Sequence, residues 1–107
     1  LGCMKIKWSK QAETVLDEVI QYGELTFGTK ATTKLILRIE QCCSLLAIYP
    51  RMGNIEPLLC DLDKEYRSWV VHKHYKIIYV IYEALDEIYI VDLWDTRQEP
   101  DKLILFK

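Results

Sequence analysis

The feature that most limits how this chain can fold is a change of period near Tyr66. Beyond it, apolar residues recur at every second position in three runs: Tyr66–His72, Tyr75–Tyr82 (YKIIYVIY) and Ile88–Trp94. A period of 2 marks strands with one face turned inward. Lys73-His74 and Ala84–Glu87 separate the runs and read as turns. The three runs therefore form consecutive antiparallel strands, a meander.

Before Tyr66 the period is that of helices. Met4–Trp8 (MKIKW) is a short alternating run that reads as an edge strand. Ser9 follows at an N-cap position, and Ala12, Val15, Leu16, Val19 and Ile20 then mark one helical face. Gly23 weakens the stripe and Gly28 ends it. A second helix over residues 30–48 carries Leu35, Ile39, Cys42, Cys43 and Leu46, and Pro50 stops it. Two helices with so short a connection form an antiparallel hairpin. Residues 50–63, with two prolines and Gly53, read as a surface loop pinned by Leu58 and Leu59.

The order is β-α-α-β-β-β. It predicts an α+β domain, with a helical hairpin packed on one face of a small antiparallel sheet. On the central strand Tyr75, Ile77, Tyr79 and Ile81 share one face, and Lys76, Ile78, Val80 and Tyr82 the other. The all-apolar set is expected to meet the helices, leaving the Lys76 face the more open one.

Composition sets limits on function. The chain has 107 residues, 50% apolar and 28% charged, which predicts one domain over residues 1–107. Leu1, Gly2 and Cys3 precede Met4, and read either as a remnant or as an alternative start. No window has the roughly 18 consecutive apolar residues of a membrane helix, and no signal peptide is visible. The formal charge of −2 gives no overall pull towards nucleic acid. Cysteines fall at 3, 42, 43 and 60, a spacing that fits neither a crosslinked framework nor zinc. Reduced packing thiols in a cytoplasmic protein are expected, with no cofactor.

The chemistry that remains is basic. Arg67 starts the first meander strand, Lys76 starts the second and Arg97 follows the third. The third strand runs back past the second, which brings Arg97 towards Lys76, His74 and Lys73. Such a cleft could grip a phosphate or a partner's carboxylates. It could equally be a solvated strand end, with Asp92, Asp95 and Glu99 pairing the cations. His74 has the ordinary pKa of an acid/base group, yet no serine, cysteine or carboxylate is assigned to it by spacing. His72-x-His74 lacks a third ligand, so no metal is expected. The strand aromatics, Trp94 among them, serve either core packing or a contact surface.

The chain resembles the RelE/ParE superfamily of toxins from bacterial type II toxin–antitoxin, or plasmid stabilisation, systems. WSKQAETVLDEVIQY and FGTKATTKLILRIEQCCSLLAIYPRMG match the ParE branch. EYRSWVVHKHYKIIYVI and IYIVDLWDTRQEPDKL match what both branches share. The resemblance implies a toxin held silent by a cognate antitoxin. ParE-like members inhibit DNA gyrase, and RelE-like members cut messenger RNA on the ribosome. Of the RelE active set, Arg67, Lys76 and Arg97 keep a charge, Trp69 stands where a second cation belongs, and Leu103 falls near the tyrosine base. The resemblance to ParE therefore leads: a gyrase-binding toxin with Arg67, Lys73, Lys76, Trp94 and Arg97 as contacts. The alternative is a ribonuclease using Arg67, Lys76, Arg97 and His74. Homodimer formation is left open.

Overall fold

The computed structural model describes residues 2–72 and 74–97. Lys73, Glu99 and Leu103, each named above, lie outside the described residues. The elements follow the expected order with one addition: β1 (Lys5–Trp8), α1 (Lys10–Thr26), α2 (Thr29–Ile48), β2 (Asn54–Ile55), β3 (Arg67–His72), β4 (Tyr75–Tyr82) and β5 (Glu87–Asp95). They build one five-stranded sheet in the order β1-β5-β4-β3-β2.

The helix starts follow their local chemistry. Ser9 is extended at φ −68°, ψ 159°, and its hydroxyl accepts the Ala12 N–H at 2.9 Å. The same hydroxyl donates to the Val91 carbonyl at 3.0 Å, so one side chain caps α1 and ties it to β5. Gly28 opens α2 at φ +88°, a left-handed conformation that glycine adopts without Cβ strain. Ala12 is fully buried from α1, and Ile39, Cys42 and Leu46 are buried from α2. They meet Ile77, Tyr79, Ile88, Ile90 and Leu93 of the sheet. Each isoleucine buried there contributes about 1.5–3 kcal/mol. Burial also pushes the Cys42 thiol up to about 12 and that of Cys43 to about 11, which keeps both protonated and unreactive.

Two expectations need correction. The sheet is mixed: β1 runs parallel to β5, from Lys5 opposite Glu87 to Trp8 opposite Ile90. The helical hairpin is the reason. The end of α2 returns to the start of β1, where the Met4 N–H reaches the Ala47 carbonyl at 2.9 Å. The meander thus begins at the level where β1 began, and its third strand repeats the direction of β1.

Nor is the Lys76 face open. Ile78 is fully buried and Val80 is 5% exposed on that side. They form a second core with Leu59, Tyr66, Val91 and Trp94, against which Leu62 also packs. The surface loop that precedes β3 therefore also covers part of the sheet on this side, pinned by buried Leu59 while Leu58 stays exposed. A short 3-10 turn, Pro57–Leu59, plants Leu59 in this core. Two-residue β2 holds the loop to β3, with Asn54 opposite Ser68 and Ile55 opposite Arg67.

Candidate partner-binding site

The cations expected to gather in one cleft are spread over two sheet faces. Register does place the end of β5 beside the start of β4, with Trp94 opposite Lys76 and Asp95 opposite Tyr75. Pleating then separates the side chains, because neighbours along a strand point to opposite faces.

Lys76 enters the second face. Its ammonium is hydrogen-bonded to Glu56, whose side chain is 1% exposed against 17% for the lysine. Burial opposes the charged form of Glu56. Hydrogen bonds from Lys76, the Leu58 N–H and Ser68, with the lysine's charge, outweigh it and hold the carboxyl below its ordinary 4.5. Glu56 also caps the Pro57–Leu59 turn by accepting the Leu58 N–H at 3.0 Å. Asp92, the expected partner of Lys76, instead accepts from Gln11 and from its own neighbour Leu93. Burial pushes its carboxyl up to about 6.

Arg67 lies opposite Tyr79, on the helix side. Its guanidinium donates to the Gly53 carbonyl at 2.8 Å and to Glu65 at 3.0 Å. The Tyr79 hydroxyl, in the core, accepts the Gly53 N–H at 3.0 Å and donates to the Pro50 carbonyl at 2.7 Å. A Cβ on Gly53 would sit 2.5 Å from that hydroxyl, so glycine is required by close approach. Arg67 is thus one clasp of the loop after α2. Trp94, read above as a contact, is 6% exposed and belongs to the second core.

Arg97 is different. Beyond β5 the Thr96 N–H bonds the His74 carbonyl at 2.7 Å and turns the chain. Arg97 then forks back onto Asp95, with Nε to Oδ1 at 3.0 Å and an Nη to Oδ2 at 2.8 Å. That hydrogen bond holds the Asp95 carboxyl below its ordinary range. The Arg97 side chain remains 49% exposed. Tyr75 lies beneath it, its hydroxyl pushed up chiefly by burial.

Two hollows adjoin at this point, of about 550 and 420 Å³, and share Val19, Tyr22, Tyr75 and Arg97 as walls. The first also reaches Gln11, Glu18 and Asp92, the second Lys34, His72 and His74. Of the expected cluster, then, Arg97 and His74 come together, and Lys76 and Arg67 stand elsewhere. Among the described residues, no three His, Cys, Asp or Glu side chains converge for a metal.

Sequence reasoning missed Glu56 and Tyr22. Glu56-Pro57 carries the signature of a capped turn, an acceptor before proline. Tyr22 continues the Val15, Val19 spacing of α1 and was legible as the outer end of that stripe.

The fold has known counterparts. Residues 6–100 match the family model described as the ParE toxin of the type II toxin–antitoxin system parDE. The chain belongs to the ParE toxin family. A solved structure titled as the chromosomal ParDE toxin–antitoxin system from P. aeruginosa matches at TM-score 0.68 and 17% identity. The match covers 87% of this chain and 96% of that one. No curated protein matches the chain. Membership of the ParE toxin family fits the long hairpin and the mixed sheet. Among the described residues, no helix is long and apolar enough to cross a membrane.

Proposed function

We propose that the chain is the toxin of a type II toxin–antitoxin pair, that it slows growth by binding DNA gyrase in the cytoplasm, and that a cognate antitoxin neutralises it. The observation that carries this choice over RNA cleavage is the state of the cations. Cleavage needs charges free to grip the phosphate and an acid/base group beside them. Lys76 is paired with Glu56, Arg67 is engaged by Gly53 and Glu65, and Arg97 is on the other sheet face from Lys76. A protein-binding toxin needs no such constellation. It needs an exposed surface with polar and apolar groups together, as around Tyr22 and Arg97.

The test uses purified protein. Added to gyrase and relaxed plasmid, it is expected to block supercoiling or to trap cleaved DNA. It should leave messenger RNA intact on translating ribosomes. Codon-positioned cuts with gyrase unaffected would overturn the reading in favour of the ribonuclease.

A further inference from the structure

Opposite its core residues, α2 carries a second stripe. Leu37, Gln41, Leu45 and Tyr49 fall at intervals of four, with Ile48 beside them. Residues four apart make a ridge along one side of a helix. Leu37, Leu45, Ile48 and Tyr49 are 53%, 46%, 54% and 60% exposed, whereas Ile39, Cys42 and Leu46 face the sheet. One half-exposed apolar side chain is ordinary. Four of them within about three turns of one helix make a patch, and such a patch marks a contact surface.

The ridge is symmetric, and the symmetry says what fits it. Leu37 and Leu45 lie four residues either side of Gln41. Let a second α2 cross antiparallel, with Gln41 at the crossing point. Leu37 of each copy then meets Leu45 of the other, and the two glutamine amides meet on the two-fold axis. An amide both donates and accepts, so Gln41 satisfies itself there. Ridges of this spacing interlock at about 50°, the commonest helix packing in globular proteins. Charge selects the antiparallel sense. Lys30, Lys34 and Arg38 all lie in the first half of α2. Its first turn has no acid and its last turn no base, so each end lacks the charge that its dipole favours. A parallel copy would set like charges side by side. An antiparallel copy turns the cations of one helix towards the carbonyl end of the other, where the dipole is negative.

We propose that a second copy of this chain covers the outward face of α2, in a two-fold dimer with Gln41 on the axis, Leu37 of each copy on Leu45 of the other, and Ile48 and Tyr49 at the rim. The pairing does not depend on which target the toxin binds. A single helix crossing is small for a specific interface, so dissociation in the micromolar range is expected.

The test is sedimentation velocity of the purified full chain over about a hundredfold range of concentration, which should show monomer passing into dimer. Leu45→Glu sets a carboxylate against each copy of Leu37 and should weaken the dimer at least about tenfold. Circular dichroism should be unchanged, because the position is exposed in the single chain. Leu85→Glu, exposed and away from α2, should leave the dimer as it was. Gln41→Cys reads the axis itself. On helices crossing about 8–10 Å apart, the two Cα atoms come within about 4–6 Å, the reach of a disulfide. With the exposed Cys3 and Cys60 replaced by serine, mild oxidation should crosslink Gln41→Cys into a dimer. Lys30→Cys, far from the axis, should stay uncrosslinked. A chain that remains monomeric over the whole range would overturn the proposal, as would a dimer indifferent to Leu45→Glu or crosslinking at Lys30→Cys in place of Gln41→Cys. A dimer that survives Leu45→Glu and is lost on removal of residues 98–107 would overturn it too, and assign the contact to that segment.

Discussion

Lys76 and Arg97 sit near one another across the β4–β5 ladder, and their surroundings are opposite. Lys76, 17% exposed, lies against the loop that precedes β3 and is neutralised by a carboxylate that is 1% exposed. Arg97 stands at the rim of a groove, half exposed, held by an aspartate two residues away. The two differ because the sheet has a core on each face, and the loop core reaches Lys76 while nothing among the described residues covers Arg97. A basic residue at the right place in a sequence is therefore not yet a basic residue on a working surface.

The sharpest way to break the contrast is to unseal Lys76. Glu56→Ala leaves the partly exposed Lys76 ammonium without its counter-charge and removes the cap of the Pro57–Leu59 turn. We expect a loss of about 1–3 kcal/mol in urea denaturation. The double change Glu56→Ala with Lys76→Met should recover most of it, because no charge is then left unpaired.

Tyr79→Phe loosens the clasp on which the covering loop begins. It leaves the Gly53 N–H and the Pro50 carbonyl unsatisfied in the core. The expected cost is about 2 kcal/mol, read in the same experiment.

Asp92 tests the groove side. Its carboxyl is raised from 3.8 to about 6 by burial, so the native state binds the proton more tightly than the unfolded chain. The ionised form is the strained one. Stability should therefore rise as pH falls from about 6 towards 4, and level off below the unfolded value. Asp92→Asn should remove this slope and raise stability at neutral pH by on the order of 1–2 kcal/mol. Glu56 and Asp95 act in the opposite sense. Both are lowered from their ordinary 4.5 and 3.8, so their contributions are lost as pH falls below about 4.5 for Glu56 and 3.8 for Asp95. Thermal melts between pH 7 and pH 3 should pass through a maximum that the Asp92→Asn variant lacks.

The smallest effect on folding comes from the exposed cation. Arg97→Ala should leave the melting temperature where it is, and yet weaken the toxin's action in cells. An equal loss of fold would erase the contrast with Lys76.

Much of this architecture was legible. The Ser9 cap, both helical stripes and the inward set Tyr75, Ile77, Tyr79 and Ile81 follow from local periodicity and capping, which act over a few residues. What escaped was non-local. The parallel pairing of β1 with β5 depends on where the hairpin returns the chain. Two-residue β2 is too short to carry a period. The Glu56–Lys76 pair joins residues 20 apart through the fold of a loop, and no spacing rule reaches it. For the site, alternation did locate Lys76 and Arg97 near one another along the sheet. The turn after β5, where Arg97 folds back on Asp95, decided the face.

The most direct test of the central claim, that this toxin acts by binding protein and not by cutting RNA, is induced expression in cells, with messenger RNA 5′ ends and plasmid supercoiling read from the same culture. The account predicts intact messages, with relaxed plasmid or trapped gyrase–DNA breaks, and the same outcome from the double change Glu56→Ala with Lys76→Met, which removes the lysine without leaving Glu56 as an unpaired buried charge. New 5′ ends inside translated codons, abolished by Lys76→Met or Arg97→Ala in a folded protein, would contradict it.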